Sequence, residues 1–443
     1  MEVSQKQFVK DISEQYPSLE EILEEYSKEM DKKVSNNNSD TVFGFWMQTL
    51  ADLQLLDLEL SGLTTSYKID SVNRVVKFNN DEKRIRNRIA HLDLVRGKPT
   101  LYSSLIDLFG DTNAYAFHNL YPYKGKFYPR VVRTLINTFN LSQGDIILDP
   151  YNGCGTTTHE TSLMGIDSIG LDINPIGNII AELKNELPFV PEKELNKLSL
   201  KDLQEIHKLL ENRERTHKNL TMYKLMLMIY FDTLDAFTRT SRYNRKGEIG
   251  LFIEKFNYVK DCYYKTKEIL NKFNINLKKA KIQRGNVLNL QKAGVKKNSI
   301  DAIITSPPYY FSLDYVGKDE IAYRYLNEIG FLKETMPEIK NLYLGMRTRN
   351  NLKNKKILEN KVITYFDDLK KSVFEMANVL KKGGKIAIVI GDSTIYSKKL
   401  PTTKKTHSYA IEAGLNHIRT VFNPLLGARN RAIRGESILI YEK

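Results

Sequence analysis

The sequence has little cysteine, no long hydrophobic run and no grouping of metal-binding side chains. Among its 443 residues are two cysteines, Cys154 and Cys262, which cannot form a disulfide framework or a cysteine-rich zinc site and which fit a reducing cytoplasm. The seven histidines are scattered, so no set of His, Cys and carboxylate residues has the spacing of metal ligands. The most apolar stretch, residues 222–231, contains Lys224 and is too short to cross a bilayer, and the first ten residues lack the apolar segment of a signal peptide. We therefore expect a soluble, cytoplasmic protein without a membrane segment or a metal.

Acidic residues are also in deficit. The chain has 53 Asp and Glu against 67 Lys and Arg, which gives a formal net charge of +14 and a pI near 9.3. Because this excess is spread along the chain, a disordered basic tail does not explain it, and nucleic acid is the commonest partner of such a surface. Hydrophobic residues at 41% and charged residues at 27% are otherwise ordinary for a globular protein, and the length allows two or three domains.

Hydrophobic periodicity divides the chain into three parts. Residues 1–110 are predicted to be mainly helical and contain no recognisable chemistry. Residues 111–443 alternate strands and helices, which is typical of an α/β fold with a doubly wound, mostly parallel sheet. This alternation is interrupted at about residues 188–281 by a stretch with three helical patterns, which we interpret as a helical insertion. No internal repeat is present.

A buried strand, a turn with two glycines and the start of a helix occupy residues 145–157. Gly153 and Gly155 carry no side chain, so backbone N–H groups at this turn can approach a ligand closely. A second strand ends in Asp172, 23 positions after Asp149, where a carboxylate can bind both ribose hydroxyls of a nucleoside. The pattern indicates a nucleoside site. The missing third glycine and the Asp149-Pro150 sequence argue against a dinucleotide and hydride transfer.

The sequence Thr305-Ser306-Pro307-Pro308-Tyr309-Tyr310 follows a short apolar run that predicts a buried strand. Two prolines end the strand and fix the turn between a small hydroxyl and an aromatic ring. In isolation, Pro-Pro-Tyr favours a simple proline turn or a polyproline-type ligand. Its position after a buried strand, downstream of a nucleoside-binding loop, favours instead a rigid turn that holds a planar amine.

Two basic clusters are candidates for contact with a phosphate backbone. The first surrounds Tyr243 in the helical insertion, and the second follows the proline turn. A solvated loop remains the alternative for both, and residues 84–96, which are also basic, are equally open to either interpretation. The cluster residues are Arg239, Arg242, Arg245, Lys246, Arg347, Arg349, Lys353, Lys355 and Lys356.

These motifs resemble those of the amino-methylating DNA methyltransferases, which use S-adenosyl-L-methionine. The glycine loop looks like that family's cofactor motif, and Thr305 to Tyr309 looks like its catalytic motif. The resemblance covers residues 117–178 and 281–443, and residues 117–136 are similar to the segment that shapes the methionine end of the family's cofactor pocket. It implies a twisted, mostly parallel Rossmann-like sheet with a reversed last strand. The N-terminal region and the helical insertion match nothing in the family's pattern.

Carried over residue by residue, the resemblance assigns a cofactor site. Asp172 would bind the ribose hydroxyls, and Asn286 stands where the family usually has an aspartate that reads the adenine amine. An amide oxygen can still accept that proton. The methionine part would be surrounded by the residues of the glycine loop, namely Asp149, Tyr151, Gly153, Gly155 and Thr156.

The same resemblance assigns the catalytic turn. The Ser306 hydroxyl and the Pro307 carbonyl would accept the N–H bonds of an exocyclic amine, with Pro308 fixing the turn and Tyr309 stacking on a base flipped out of a duplex. Relatives with Ser before the two prolines typically methylate cytosine at N4, whereas Asp or Asn is usual for adenine N6. Cytosine carbon 5 is excluded, because neither Cys154 in the cofactor loop nor Cys262 in the insertion is placed as the nucleophile.

The function predicted from the sequence is therefore transfer of a methyl group from S-adenosyl-L-methionine to the N4 amine of cytosine in duplex DNA. The context expected from the resemblance is restriction-modification or a similar defence, with a cognate restriction endonuclease as a potential partner. Three alternatives stay open: methylation of adenine N6 in DNA, methylation of RNA, and a methyltransferase-like subunit that binds nucleic acid without turnover.

Overall fold

A computed structural model describes residues 41–79, 82–123, 125–239, 247–309, 317–344, 355–395, 398–424 and 435–443. The strands of this part are β1 (Val42–Phe43), β2 (Tyr67–Asp70), β3 (Val75–Phe78), β4 (Leu92–Val95), β5 (Lys98–Pro99), β6 (Ile146–Asp149), β7 (Asp167–Asp172), β8 (Lys281–Arg284), β9 (Ile300–Thr305), β10 (Leu380–Ile390), β11 (Thr394–Ile395), β12 (Lys398–Lys399), β13 (Asn416–Pro424) and β14 (Gly435–Glu442). The α-helices are α1 (Leu50–Leu63), α2 (Glu82–Arg88), α3 (Leu101–Phe109), α4 (Pro129–Thr138), α5 (Thr156–Leu163), α6 (Pro175–Glu186), α7 (Glu192–Asn196), α8 (Leu200–Glu211), α9 (Leu220–Arg239), α10 (Gly247–Phe273), α11 (Glu320–Glu328), α12 (Met336–Leu342), α13 (Lys355–Val379) and α14 (Thr402–Glu412).

The central sheet has seven strands in the order β13-β14-β10-β9-β6-β7-β8. Strands β6 to β10 run parallel, and β14 lies antiparallel between β10 and β13. The predicted doubly wound, mostly parallel sheet with a reversed last strand is confirmed. The parallel strands are apolar on both faces because helices cover both, and their carboxyl ends form one edge, where ligands of such sheets bind.

Alternate residues of the strands enter two cores. Ile147 and Ile304 face α1 and α4, whereas Leu148 and Ile303 face α13, and all four side chains are fully buried. Since successive side chains of a strand point to opposite faces, one apolar run supplies both cores. The core under α1 and α4 joins the N-terminal region to the sheet, because Leu55 of α1 belongs to it.

The first 40 residues of the N-terminal region lie outside the described residues. The rest of the region contains α1, α2 and α3 and, in addition, a small antiparallel sheet in the order β2-β3-β1-β4-β5. This sheet was not predicted, since its strands are two to four residues long and show no sustained alternation of apolar and polar residues. The buried Glu59 of α1 accepts hydrogen bonds from Ala90 N at 2.8 Å, His91 Nδ1 at 2.8 Å and Asn137 Nδ2 at 2.6 Å. These bonds connect α1 with α4 and with the two residues before β4.

The interruption between β7 and β8 is helical, as expected, and consists of α7, α8, α9 and α10. The methionine-rich face of α9 is core, because Met222 and Met226 are fully buried in a cluster that also contains Ile180 of α6. Within the described residues, no helix is long and apolar enough to cross a membrane.

The glycine pair Gly383-Gly384 is typical of a helix stop, and a helix does end shortly before it, since α13 ends at Val379 and β10 begins at Leu380. The two glycines lie inside β10, where the pairing with β9 is irregular between Leu380 and Lys385. Gly383 has φ +74°, and its N–H donates to Lys443 O at 2.7 Å, so the pair forms a kink in the strand.

Candidate active site

A cavity of about 320 Å³ opens at the carboxyl edge of the sheet. It is lined by the loops that follow β6, β7, β8 and β9, by residue 123 and residues 125–128 before α4, by the end of α12 and by the start of β14. Of the sequence-predicted residues, the structure brings together in its lining Tyr151, Gly153, Asp172, Asn286, Ser306, Pro307, Pro308 and Tyr309.

Asp172 is held in place by the backbone around it. Its Oδ2 accepts the N–H of Gly153 at 2.7 Å, and its Oδ1 accepts the N–H of Asn174 at 2.8 Å. Burial raises the pKa of Asp172 to about 6, while the hydrogen bonds from Asn174 and Gly153 oppose that shift. Each carboxylate oxygen retains a further lone pair, so this fixed carboxylate can still accept hydroxyl groups.

Asp149 lies behind the cavity lining. Thr305 Oγ1 donates to Asp149 Oδ1 at 2.6 Å, and the N–H of Tyr151 donates to the same oxygen at 3.1 Å. Burial raises the pKa of Asp149 to about 6, against the hydrogen bonds that it accepts. The carboxylate therefore joins the end of β6 to the end of β9, and it aligns the glycine loop with the proline turn.

Gly153 and Gly155 are both required to be glycine, but for different structural reasons. Gly153 has φ +47° and lines the cavity, and a Cβ there would lie 3.4 Å from the ring of Tyr123. Gly155 has φ +78° and does not line it; a Cβ there would lie 2.6 Å from the Cβ of Ala181 in α6. Thr156, the first residue of α5, is also buried behind the lining. Only Gly153 leaves open space on the ligand side.

Asn286 lies at the end of β8 and lines the cavity. Its Oδ1 accepts the N–H of Leu288 at 2.9 Å and so caps the short 3₁₀ turn Val287–Asn289. The oxygen that the sequence analysis offered to an adenine amine therefore already has one donor, and a second lone pair remains.

The proline turn places four consecutive residues in the cavity lining. Tyr309 is 8% exposed, and its hydroxyl donates to Glu436 Oε1 of β14 at 2.7 Å. The Ser306 hydroxyl lies 3.4 Å from the Tyr309 hydroxyl. Behind the turn, Tyr365 of α13 donates to the carbonyl of Pro308 at 3.1 Å, which fixes the direction of the backbone.

Sequence reasoning missed several residues of the cavity. Glu436 carried no signal, since its position only predicts the start of a strand. Residues 117–136 pointed to the methionine end of a cofactor pocket, but the pattern did not single out individual side chains. The missed lining residues include Tyr123, Lys126, Tyr128, Tyr343 and Glu436.

Most of the predicted phosphate contacts lie outside the described residues, namely Arg242, Arg245, Lys246, Arg347, Arg349 and Lys353. Arg239 ends α9, and Lys355 and Lys356 begin α13, but their side chains are not described. In the basic stretch 84–96, Arg88 Nε donates to Asn137 Oδ1 at 2.9 Å and Arg86 lies over the ring of Phe273. These two cations have internal partners, which favours a structural role for them.

In the described part of the chain, one group of side chains has potential metal ligands close together. His207 and Glu211 of α8 and Glu248 of α10 have donor atoms within 4.8 Å of one another. His207 is buried, and Glu248 accepts from its Nε2 at 3.1 Å. The group belongs to the helical insertion and not to the cavity lining.

Comparisons with known proteins agree on one class of enzyme. A family profile for N6/N4 methyltransferases, described as "DNA methylase", matches residues 5–181. The Type II methyltransferase M.BsoBI of Geobacillus stearothermophilus is 23% identical over 470 residues, which span 82% of this chain and 92% of the relative. The Type II methyltransferase M.MjaII of Methanocaldococcus jannaschii is 50% identical over 68 residues, which span 15% of this chain and 12% of the relative.

Solved structures found to be similar to this chain superpose on it with low TM-scores and low sequence identity. TrmN from Thermus thermophilus has a TM-score of 0.29 and 10% identity, over 72% of this chain and 50% of its own. The protein TTHA0409, also from Thermus thermophilus and complexed with S-adenosyl-L-methionine, has a TM-score of 0.22 and 16% identity, over 36% of this chain and 51% of its own. The fold assignment therefore rests on the strand order itself.

Proposed function

We propose that the chain is an S-adenosyl-L-methionine-dependent, amino-methylating DNA methyltransferase, in line with the family profile and the M.BsoBI relative, and that it methylates the exocyclic N4 amine of cytosine in duplex DNA. The observation that carries the choice of base is Ser306, whose hydroxyl stands before the two prolines and lines the cavity.

The cavity fits S-adenosyl-L-methionine. At Gly153 the absence of a Cβ leaves room between the loop and Tyr123, and Asp172 offers fixed acceptors for the ribose hydroxyls. Ile173 and Val287 provide apolar surface for an adenine ring, and Asn286 stands at its edge. When bound, the cofactor supplies an electrophilic methyl group on a sulfonium. Asp149 would act indirectly by holding the loop, and Gly155 and Thr156 would act through the packing of α5.

An aromatic amine is a poor nucleophile because its lone pair is delocalised into the ring. Acceptors directed at its N–H bonds hold the nitrogen out of that conjugation, and we assign this role to Ser306 Oγ and the Pro307 carbonyl. The Tyr365 bond to the neighbouring Pro308 carbonyl fixes the turn in advance, so little reorganisation is needed during the reaction. The ring of Tyr309 would support the base.

Duplex DNA is the proposed substrate, in line with the family and with the net charge of +14. The target cytosine must leave the stack to reach the cavity, which costs a few kcal/mol, and phosphate contacts offset that cost. We assign these contacts to the basic clusters around Tyr243 and in residues 347–356, and recognition of the target sequence to the helical insertion. Because both curated relatives are named Type II methyltransferases, a restriction-modification role with a cognate endonuclease is part of the proposal.

The test is to identify the product. The protein is incubated with cofactor carrying a labelled methyl group and with DNA from a host without DNA methylation. Nucleosides from the digested DNA are then separated and identified by mass spectrometry. We expect N4-methylcytosine, and long-read sequencing of the same DNA would give the target sequence. A Ser306→Ala variant, which loses one acceptor of the amine, is the control for contaminating activity.

Any other outcome of this experiment would support one of the three alternative functions. N6-methyladenine in DNA would overturn the choice of base and leave the family intact. Label in RNA but not in DNA would overturn the substrate. Tight binding of duplex DNA without any methyl transfer would indicate a subunit that binds nucleic acid without turnover.

A further inference from the structure

We propose that Ser306, Tyr309 and Glu436 form a hydrogen-bond chain that removes a proton from the amine as it is methylated, with the Glu436 carboxylate as the final acceptor. The inference rests on the proposed function only in requiring transfer to an exocyclic amine; it holds for cytosine or adenine. Ser306 would contact the amine, whereas Glu436 would act through Tyr309.

The need for such a chain follows from the chemistry. An amine that gains a methyl group carries a positive charge until it loses a proton. The serine hydroxyl beside it can accept that proton only if it passes its own proton on, because a protonated alcohol is far too acidic to persist near neutral pH. Relatives with aspartate before the prolines carry a carboxylate in the turn itself. This chain has Ser306 there, so the proton must leave the turn.

The structure supplies a route. Ser306 Oγ lies 3.4 Å from the Tyr309 hydroxyl, and the Tyr309 hydroxyl donates to Glu436 Oε1 at 2.7 Å. All three side chains line the same cavity. The first distance is at the long end of a hydrogen bond and would shorten when a base occupies the turn, as is common for catalytic groups in the free enzyme.

Glu436 is the carboxylate on the correct side of the cavity. Two carboxylates of the described residues line it, and the other, Asp172, is engaged with Gly153 and Asn174 at the nucleoside side. Among the residues that the structure describes, the titratable groups that act on Glu436 are the hydroxyls of Tyr309 and Tyr128. In the sheet, Glu436 pairs with Asn423 of β13, and the next residue, Ser437, pairs with Ile390 of β10.

The surroundings make Glu436 a stronger base than a free glutamate. Burial raises the pKa of Glu436, and the hydrogen bond from Tyr309 opposes that shift only in part. No charged side chain among the described residues contributes to lowering it. A carboxylate with a raised pKa accepts a proton more readily at neutral pH.

The amine nitrogen uses its lone pair to form the new N–C bond, and the electron pair of the cleaved C–S bond stays on sulfur. The nitrogen's proton moves to Ser306 Oγ, the serine proton moves to the Tyr309 oxygen, and the tyrosine proton moves to Glu436. Serine and tyrosine end unchanged, and Glu436 ends as a neutral carboxylic acid that releases its proton to water after the product leaves.

The kinetic test compares single-turnover rates of methyl incorporation into DNA. Glu436→Gln keeps an acceptor for Tyr309 but cannot take a proton, and Tyr309→Phe keeps the ring but breaks the chain. We expect each to lower the rate about 10²-fold, the lower end of what a positioned base contributes. The double variant should be no slower than the slower single variant, because the residues act as one unit. Glu442→Gln, at the other end of β14, is the matched control and should keep the wild-type rate.

The pH profile separates proton acceptance from a structural role. Only the ionised carboxylate can accept the proton, so the wild-type rate should rise with pH through the pKa of Glu436. Glu436→Gln should lose this limb and keep its affinity for S-adenosyl-L-methionine. An unchanged rate and profile in Glu436→Gln, or losses that multiply in the double variant, would overturn the chain.

The pKa of Glu436 can also be measured by NMR in the protein alone, without cofactor or DNA. In protein with ¹³C-labelled glutamate carboxyls, one resonance should be missing in Glu436→Gln and should titrate above the usual pKa of 4.5 in the wild type. Since the Tyr309 hydrogen bond lowers the pKa of Glu436, Tyr309→Phe should raise it further. A Glu436 resonance indifferent to Tyr309→Phe would refute the chain, even if the enzyme proved to methylate adenine or RNA.

Discussion

Asp172 is held by two backbone N–H groups before any ligand binds. Its role in binding the cofactor can be tested by substitution. Asp172→Asn keeps the size of the side chain but removes the charge that would accept the ribose hydroxyls. Hydrogen bonds to a charged group are worth about 1.5–3 kcal/mol, so we expect affinity for S-adenosyl-L-methionine to fall at least about tenfold by calorimetry.

Stability should respond differently from affinity. The pKa of Asp172 is about 6 in the folded protein against an ordinary value of 3.8, so the folded state binds more protons between these values. Ionisation of Asp172 therefore costs stability as pH rises through that window, and at pH 8 the neutral asparagine avoids the cost, which offsets its lost hydrogen bond. The unfolding midpoint at pH 8 should stay near the wild-type value. Asp107→Asn, exposed on α3, should change neither quantity, and equal losses of affinity and stability would contradict the assignment.

Among individual residues of the cavity, the sequence predicted some and not others. Gly153, Asp172 and Ser306 to Tyr309 were predictable because each belongs to a short segment whose spacing has a local meaning. Glu436 was not, since its contact with Tyr309 spans 127 positions and exists only once the reversed strand is in place. A glutamate at the start of a strand has no local property that separates it from an ordinary exposed residue.

Among the elements, the packing of α5 against α6 depends on Gly155. Alanine there would meet Ala181 at 2.6 Å and would adopt φ +78°, so it suffers both a clash and backbone strain. We expect Gly155→Ala to lower the free energy of unfolding by about 2–5 kcal/mol, the sum of a left-handed alanine and an overpacked contact. Chemical denaturation measures this change.

Gly414 provides the matched control for that substitution. It has φ +81°, but nothing lies within 4 Å of its Cβ position, so Gly414→Ala suffers the strain alone. Its expected cost is about 1–2 kcal/mol. Equal losses in the two variants would show that the contact between α5 and α6 does not depend on Gly155.

Among the helices and strands, some could be predicted from the sequence and others could not. The apolar runs of β6, β9 and β10 predicted buried strands because both faces of a parallel sheet are covered. The N-terminal sheet was missed because its strands are short and pair with segments far away in the chain, as Val42 of β1 does with Leu94 of β4. The Gly383-Gly384 pair has the local features of a helix end, and its role as a kink in β10 depends on pairing with β9.

For the whole molecule, a buried polar network beneath the glycine loop predicts sensitivity to acid. Glu160 accepts hydrogen bonds from Tyr115 at 2.6 Å, from His118 at 2.7 Å and from Arg133 at 2.8 Å. Burial lowers the pKa of His118 to about 4 from 6.5, although the bond to Glu160 opposes the shift. Below pH 6.5 the unfolded state therefore binds a proton that the folded state refuses, and stability falls as pH decreases.

His118→Asn isolates this contribution. Asn does not titrate, so the wild type should lose about 2 kcal/mol of unfolding free energy relative to the variant between pH 7 and pH 5. Urea denaturation at both values measures the difference. The comparison between the two proteins is needed because Asp149 and Asp172, whose pKa values are raised to about 6, change stability in the opposite direction over the same range. A difference independent of pH would contradict the assignment.

The core shared by α1, α4 and the central sheet determines what would happen if the protein were expressed as two separate polypeptides. Leu55 and Leu58 cover the face of the sheet opposite α13, and Arg419 of β13 pairs with Asp57 of α1 at 2.9 Å. A fragment that starts after α3 would keep α4 but would expose to water the part of this face that Leu55 and Leu58 cover, and the detached N-terminal piece would present the complementary apolar surface. Expressed together as two polypeptides, the halves should recover solubility by reassembling. We therefore expect the N-terminal region to stabilise the central sheet even when the two are separate polypeptides.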